Sequence, residues 1–301
     1  MLLRSACLCS ERPGIRRVRH HDDNCNLRLF SRAAHEVLSA MQTSQAHLKL
    51  LFEAIEHSVI AEGRKLVPDL QAVIDDVAKN ACIDDSDDKL FHKLVLVVFY
   101  SGFRAATVTA KKDIILRHLG DWTAVKDYGP ADVERVLADP QMIAMRAKVE
   151  ACVHNAKEVA ELVKEHRSFA AYLRSLKKQP VEVAEKQLKT KFMYLGGITV
   201  NHYLMMLGFD VLKPDRVIMR VFHRLGLVQG RDRYDDAIAV GRLMAAATNT
   251  KIRRVDRVVV AFGQVETKEF GLTTGICLEE RPRCEACGVT AHCSWYRDRH
   301  T

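Results

Sequence analysis

Four cysteines, Cys277-x6-Cys284-x2-Cys287-x5-Cys293, are the residues of this 301-residue chain best suited to unusual chemistry. Thiolates are soft ligands that suit zinc or iron–sulfur clusters. A closed zinc site usually draws on two close pairs of ligands. Here only Cys284 and Cys287 are close, while Cys277 and Cys293 reach in on longer arms. That spacing fits a larger cubane held at four corners, with zinc as the alternative. The chain has nine cysteines, and Cys7, Cys9, Cys25, Cys82 and Cys152 are scattered. An odd total argues against a secreted disulfide framework. Arg281 and Arg283 lie inside the loop, where they would offset cluster charge or face a phosphate.

A second constellation precedes the loop. Phe192-Met193-Tyr194-Leu195-Gly196-Gly197-Ile198-Thr199-Val200-Asn201-His202 reads as helix, tight turn, helix. Glycine permits close backbone approach, and the new helix presents free N–H groups. Such a turn can hold a phosphate on backbone donors and a helix dipole. Further on, Lys213-Pro214-Asp215 opens another helix, with Asp215 at an N-cap position. A carboxylate there is a good helix cap.

The cysteine spacing resembles the [4Fe-4S] loop of endonuclease III and adenine glycosylase, in the helix-hairpin-helix DNA glycosylase superfamily. The hairpin and the Arg220-Val221-Phe222-His223-Arg224-Leu225-Gly226-Leu227 pattern are similar to that superfamily in the same order. The resemblance implies that Asp215 is catalytic. It implies that Leu195, Gly196, Gly197, Thr199, Asn201 and Lys213 meet DNA. Bifunctional members use a Schiff-base lysine at the position matching Asn201. Asparagine forms no imine, so a monofunctional enzyme without lyase activity is expected.

The middle of the chain resembles 3-methyladenine DNA glycosylase I. The similar stretches are Gly102-Phe103-Arg104-Ala105, Asp132 to Pro140, Arg146 to Ala151, and Asn155-Ala156. That family's base-reading glutamate corresponds to Ser101, its zinc-binding termini are missing, and it has no equivalent of Asp215. Tyr100, Ser101 and Phe103 are the expected base pocket, with Trp122, Phe192 and Tyr194 as further aromatic candidates. His202 is a candidate for phosphate or base contact.

These resemblances imply double-stranded DNA with a damaged base as partner, a monomer, and base excision repair as the process. The expected substrate is an alkylated purine such as 3-methyladenine. Alternatives are a glycosylase for a mismatched adenine, uracil or oxidised base, or a non-catalytic DNA-binding protein.

The elements that must position these residues read as helices. Leu48, Leu51, Phe52, Ile55 and Val59 recur at helical spacing, and helices follow over Leu66–Val77, Leu90–Tyr100, Asp113–Leu119 and Ala131–Leu137. Met142–Val163, Ser168–Leu176 and Val181–Phe192 continue the series, and Val255–Phe262 reads as buried helix. The class is all-α. By resemblance it is a two-lobed fold: a helical barrel over 86–208 ending in the hairpin, and a lobe of 209–301 with the catalytic Asp and the cluster. Residues 41–85 are expected to pack with the cluster lobe.

Composition agrees with a folded domain: 48% hydrophobic and 28% charged residues, with a net charge of +8 that attracts polyanions. No apolar run is long enough for a membrane span. Residues 1–40 are Arg-rich but contain Glu11, Asp22 and Asp23, which argues against an organelle-targeting peptide. The expectation is a disordered tail or an upstream extension of a chain starting near Met41. A cytoplasmic, nucleoid-associated location follows.

Overall fold

Local sequence sets where each helix starts, and the computed structural model describes residues 44–79, 83, 85–230 and 232–300. The expectations for residues 1–40 and for Cys82 lie outside the described residues. Helix α1 covers residues 44–63 and α2 covers Leu70–Lys79. The start of α2 is later than the periodicity suggests. Pro68 disfavours helical backbone at Val67, and Asp69 takes the cap instead, its Oδ1 accepting from the Ala72 N–H at 3.4 Å.

Nine helices follow: α3 (Asp87–Tyr100), α4 (Ala105–Ala110), α5 (Lys112–Leu119), α6 (Trp122–Val125), α7 (Pro130–Ala138), α8 (Arg146–His166), α9 (Phe169–Lys177), α10 (Val181–Lys191) and α11 (Ile198–Met206). Asp87 sits in the first turn of α3 and also caps α9, accepting from the N–H groups of Phe169 and Ala170 at 3.0 and 2.8 Å. α7 starts with Pro130 at its first turn, and Asp132 accepts from the Gly129 N–H at 2.9 Å. α8 begins four residues beyond the expected Met142. Pro140 and the Asp139 side chain, bonded to the Gln141 N–H at 2.8 Å, hold an irregular approach in which Met142 and Ile143 are still buried.

The chain then forms α12 (Arg216–Arg224), α13 (Tyr234–Ala247), α14 (Ile252–Gly263) and α15 (Ser294–His300), with short 3-10 turns among the cysteines. α14 is the buried helix expected over Val255–Phe262. The described residues contain no strand, only an isolated bridge between Thr267 and Leu272. The fold is all-α.

Residues 45–301 form one unit with two hydrophobic cores. The first gathers residues between Ile83 and Val211, including Leu94, Val149, Phe169 and Tyr203. The second joins Leu51, Ile55 and Leu70 to Phe222, Val258, Phe262 and Phe270. Neighbouring residues Val211 and Leu212 belong to different cores. The chain therefore crosses between cores immediately before Lys213-Pro214-Asp215.

Candidate active site and nucleic-acid interface

The hairpin is pinned from inside the first core. Asn155 of α8 is buried, and its amide bonds the Met193 backbone twice: Nδ2 donates to the carbonyl at 3.2 Å and Oδ1 accepts from the N–H at 2.8 Å. Tyr194 then takes a positive φ of 63°, which lets the chain turn sharply. Leu195 is buried, so only its backbone remains to face a ligand. Gly196 and Gly197 are exposed, and Gly197 has φ 49° at the N-cap of α11. A Cβ on either glycine would meet no heavy atom within 4 Å. The outer face of the turn is open, with the positive end of α11 behind it. Thr199 is half-buried and Asn201 buried. Asn201 and Gly197 line a cleft with Pro214 and with Tyr234 at the start of α13.

Asp215 is the N-cap of α12, as its sequence position predicts. Its Oδ1 accepts from the N–H groups of Val217 and Ile218 at 2.9 and 3.2 Å. The other oxygen, Oδ2, lies 3.5 Å from Lys213 Nζ, and the two side chains are 28% and 23% exposed. Oδ1 is thus held by the helix, while Oδ2 faces Lys213 and the side chain stays partly exposed. Lys213 also acts on His202, whose ring lies 5.4 Å from that of Tyr100 at a tilt of 48°. Burial and then the Lys213 charge lower the His202 pKa to about 3, so the imidazole is neutral at physiological pH. Tyr100, His202, Lys213 and Asp215 form a run of neighbours from the first core to α12. His202 contacts a candidate pocket residue rather than standing on the surface.

Ser101 and Phe103 meet at a residue that sequence reasoning did not single out, Lys148 of α8. It is 2% exposed. Its ammonium donates to the carbonyls of Val98 and Ser101, the latter at 2.7 Å. It lies 4.6 Å from the centre of the Tyr194 ring and 5.6 Å from that of Phe103. Burial lowers its pKa. The signal was periodicity: Lys148, Cys152, Asn155 and Val159 share the buried face of α8. Phe192 is core, as an aromatic at helical spacing usually is, and Trp122 packs partly buried against the same cluster.

The four thiols Cys277, Cys284, Cys287 and Cys293 line one cavity with Val221, Leu225, Phe262 and Ile276. Among the described residues, no three His, Cys, Asp or Glu side chains form a group able to hold a single metal ion. Burial, then the neighbouring thiols, push the Cys287 thiol up to about 11. The cation at the thiols is not the expected Arg281 or Arg283. Arg283 pairs with Glu62 at 2.7 Å, and Arg281 is an exposed residue with φ 51°. Instead Arg224, 7% exposed, donates to Cys277 Sγ at 3.3 Å and to the carbonyls of Leu278 and Glu279 at 2.6 and 2.9 Å. Trp295 covers it, with the guanidinium 4.5 Å from the ring centre. α1 holds the far side, where Ser58 Oγ accepts from the Gly288 N–H at 2.9 Å. Thiols are the cavity's soft donors, which fits iron–sulfur ligation.

The all-α fold and the family comparison together define a protein of the DNA glycosylase class. The methyladenine glycosylase family model matches residues 80–232, and the chain belongs to that family of DNA glycosylases. Among solved structures it is similar to 3-methyladenine DNA glycosylase I from Staphylococcus aureus. The identity is 22%, covering 41% of this chain and 77% of that one, with a TM-score of 0.38. It is also similar to the 8-oxoguanine DNA glycosylase of Thermotoga maritima, at 15% identity over 69% of this chain and 95% of that one, with a TM-score of 0.47. A search of curated protein sequences finds no match. No helix among the described residues is long and apolar enough to cross a membrane.

Proposed function

We propose that this chain is a monofunctional DNA glycosylase that hydrolyses the N-glycosidic bond of a flipped, alkylated purine in double-stranded DNA. Asp215 carries the reading: its Oδ1 is spent on the helix cap, its Oδ2 faces Lys213, and the side chain is partly exposed. Alkylation at a purine ring nitrogen places positive charge on the base and weakens its bond to C1′. As that bond breaks, the base leaves with the bonding electrons and the sugar gains oxocarbenium character. Asp215 Oδ2 stabilises this charge, orients the water that adds to C1′ and accepts the proton that water gives up. Asn201 cannot replace the water as a nucleophile. The open hairpin binds the phosphate backbone, and Tyr100, Ser101 and Phe103 border the extruded base.

The reading includes a [4Fe-4S] cluster held by Cys277, Cys284, Cys287 and Cys293. Four thiols lining one cavity, with only Cys284 and Cys287 close in sequence, support a cluster over zinc. When bound, the cluster cross-links the loop. Iron and sulfide analysis of anaerobically purified protein tests this; zinc without sulfide refutes it.

The decisive assay is release of free base from methylated DNA by wild type and Asp215→Asn. Release of 3-methyladenine or 7-methylguanine that disappears in the variant is the expected result. One observation favours a second reading. Lys148 places an amine beside Ser101, Phe103 and Tyr194, and a cation there disfavours a cationic base. Release of uracil, mismatched adenine or an oxidised base, with alkylated DNA untouched, would establish that alternative.

A further inference from the structure

α14 carries a carboxylate where its helical pattern calls for an apolar residue. Asp256 lies between Val255 and Val258, both fully buried, and is itself 2% exposed. Its Oδ1 accepts from the backbone N–H of Lys213 at 2.8 Å. Two residues on, the Asp215 N–H donates to the Lys213 carbonyl at 2.7 Å. The segment aiming Asp215 is therefore tied at Lys213 to the second core, through the side chain of a helix remote in sequence.

We propose that Asp256 is a positioning residue for Asp215: its buried carboxyl fixes the Lys213–Asp215 turn from beneath and adds its own charge to the field at the reacting sugar. The inference rests on the proposed function, since it assigns Asp256 a part in the same reaction. A buried acid is retained in an apolar stripe only at a desolvation cost, and the hydrogen bond it accepts from the Lys213 backbone N–H offsets part of that cost.

Charged groups reach Asp256 from the turn and from its own helix, while those of the other elements packed on α14 are paired elsewhere. Lys213 and Asp215 face Asp256 from the turn, and Arg257 acts from its own helix. Arg253, also on α14, feels Asp256 in return but is tied to Asp210 and to the Met205 carbonyl. α1 and α2 meet α14 through Arg254, paired with Glu56 and Asp75. α12 sends Arg220 to the carbonyls of Gly263 and Cys277. α13 meets α14 where Gly241 lies under Ile252. Burial dominates this balance and raises the Asp256 carboxyl to about 7, with Asp215 adding to the rise and the Lys213 N–H opposing it. As pH rises through that value, Asp256 gains a negative charge. The charge strengthens its hydrogen bond and favours the cationic sugar.

The test is single-turnover base release and DNA affinity, from about pH 5 to about pH 9, for wild type, Asp256→Asn and Asp256→Ala. The expected wild-type rate rises through pH of about 7. Asp256→Asn keeps an acceptor for Lys213 and most of the rate, but its profile is flat in that range. Asp256→Ala loses the rate by about tenfold or more at unchanged DNA affinity, and the Asn variant is the rescue. If the Ala variant does not fold, the Asn profile alone decides. An Asn variant that keeps the wild-type inflection, or an Ala variant as fast as wild type, overturns the inference while leaving the function intact. A wild type that releases no base from any damaged DNA overturns the functional reading and this inference together.

Discussion

The glycines of the hairpin and those around the cysteine loop stand in opposite surroundings. At Gly196 and Gly197 an added Cβ would meet nothing within 4 Å. At Gly275 it would overlap the Gln264 carbonyl, and at Gly288 it would stand 2.9 Å from Ser58 Oγ and 3.0 Å from the Ala54 carbonyl. The anchoring groups differ as well. The hairpin is pinned by one neutral amide, Asn155, while the cysteine loop is held by the guanidinium of Arg224. An open glycine turn backed by a helix N-terminus is a surface kept free for a ligand. Glycines filled to van der Waals contact belong to a part whose shape is itself the product. Under the proposed function, the contrast separates a recognition surface from a structural support.

The largest effect expected is at the recognition side. Asp215→Asn keeps an oxygen for the α12 cap, so the fold survives, while base release falls by about 10²–10³-fold. A variant that retains the wild-type rate would make Asp215 only a cap. At the support side, Arg224→Met leaves two partly buried carbonyls without donors and costs about 3 kcal/mol in urea unfolding. Gly275→Ala is expected to cost about 1–3 kcal/mol through overpacking against backbone. Losses well below these would mean that the cysteine loop is less constrained than its contacts indicate.

A smaller effect links the two regions through pH. Asp256 has a folded pKa of about 7 against an ordinary 3.8. The folded protein therefore holds a proton that the unfolded chain has released between those values, and stability falls as pH rises through that window. Asp256→Asn removes this slope, so the variant gains on wild type from about pH 4 to about pH 7 in denaturant titrations. Parallel curves would refute the assignment. The smallest effect on stability belongs to Gly196→Ala. Unfolding should change by less than about 0.5 kcal/mol, while DNA affinity weakens because a methyl group now occupies the open face. Unchanged affinity would remove that turn from the DNA interface.

Much of the fold was legible. Helical periodicity gave the all-α class, and caps such as Asp215 and the Gly129-Pro130 start stood where local chemistry puts them. Errors fell at α2 and α8, where prolines delay helices whose apolar spacing begins earlier. α4 and α13 escaped notice because neither carries a strong apolar stripe bounded by clear caps. Of the candidate site, the hairpin glycines, Asp215 and the cysteines were visible as residue types at set spacings. Lys148 and Asp256 were not, since a single charge inside an apolar stripe reads as a surface residue until its partners are known.

Sequence by itself determined the local terms: which segments are helices, where they are capped, that four thiols cluster, and that Asn201 rather than lysine follows the turn. Tertiary structure alone decided which distant groups meet. It put Lys148 under Tyr194 and Phe103, Asp256 beneath Lys213, and Arg224 against Cys277. The physical reason is range. Helix propensity and capping act within a few residues, whereas a buried charge is tolerated only where the whole fold supplies its partners.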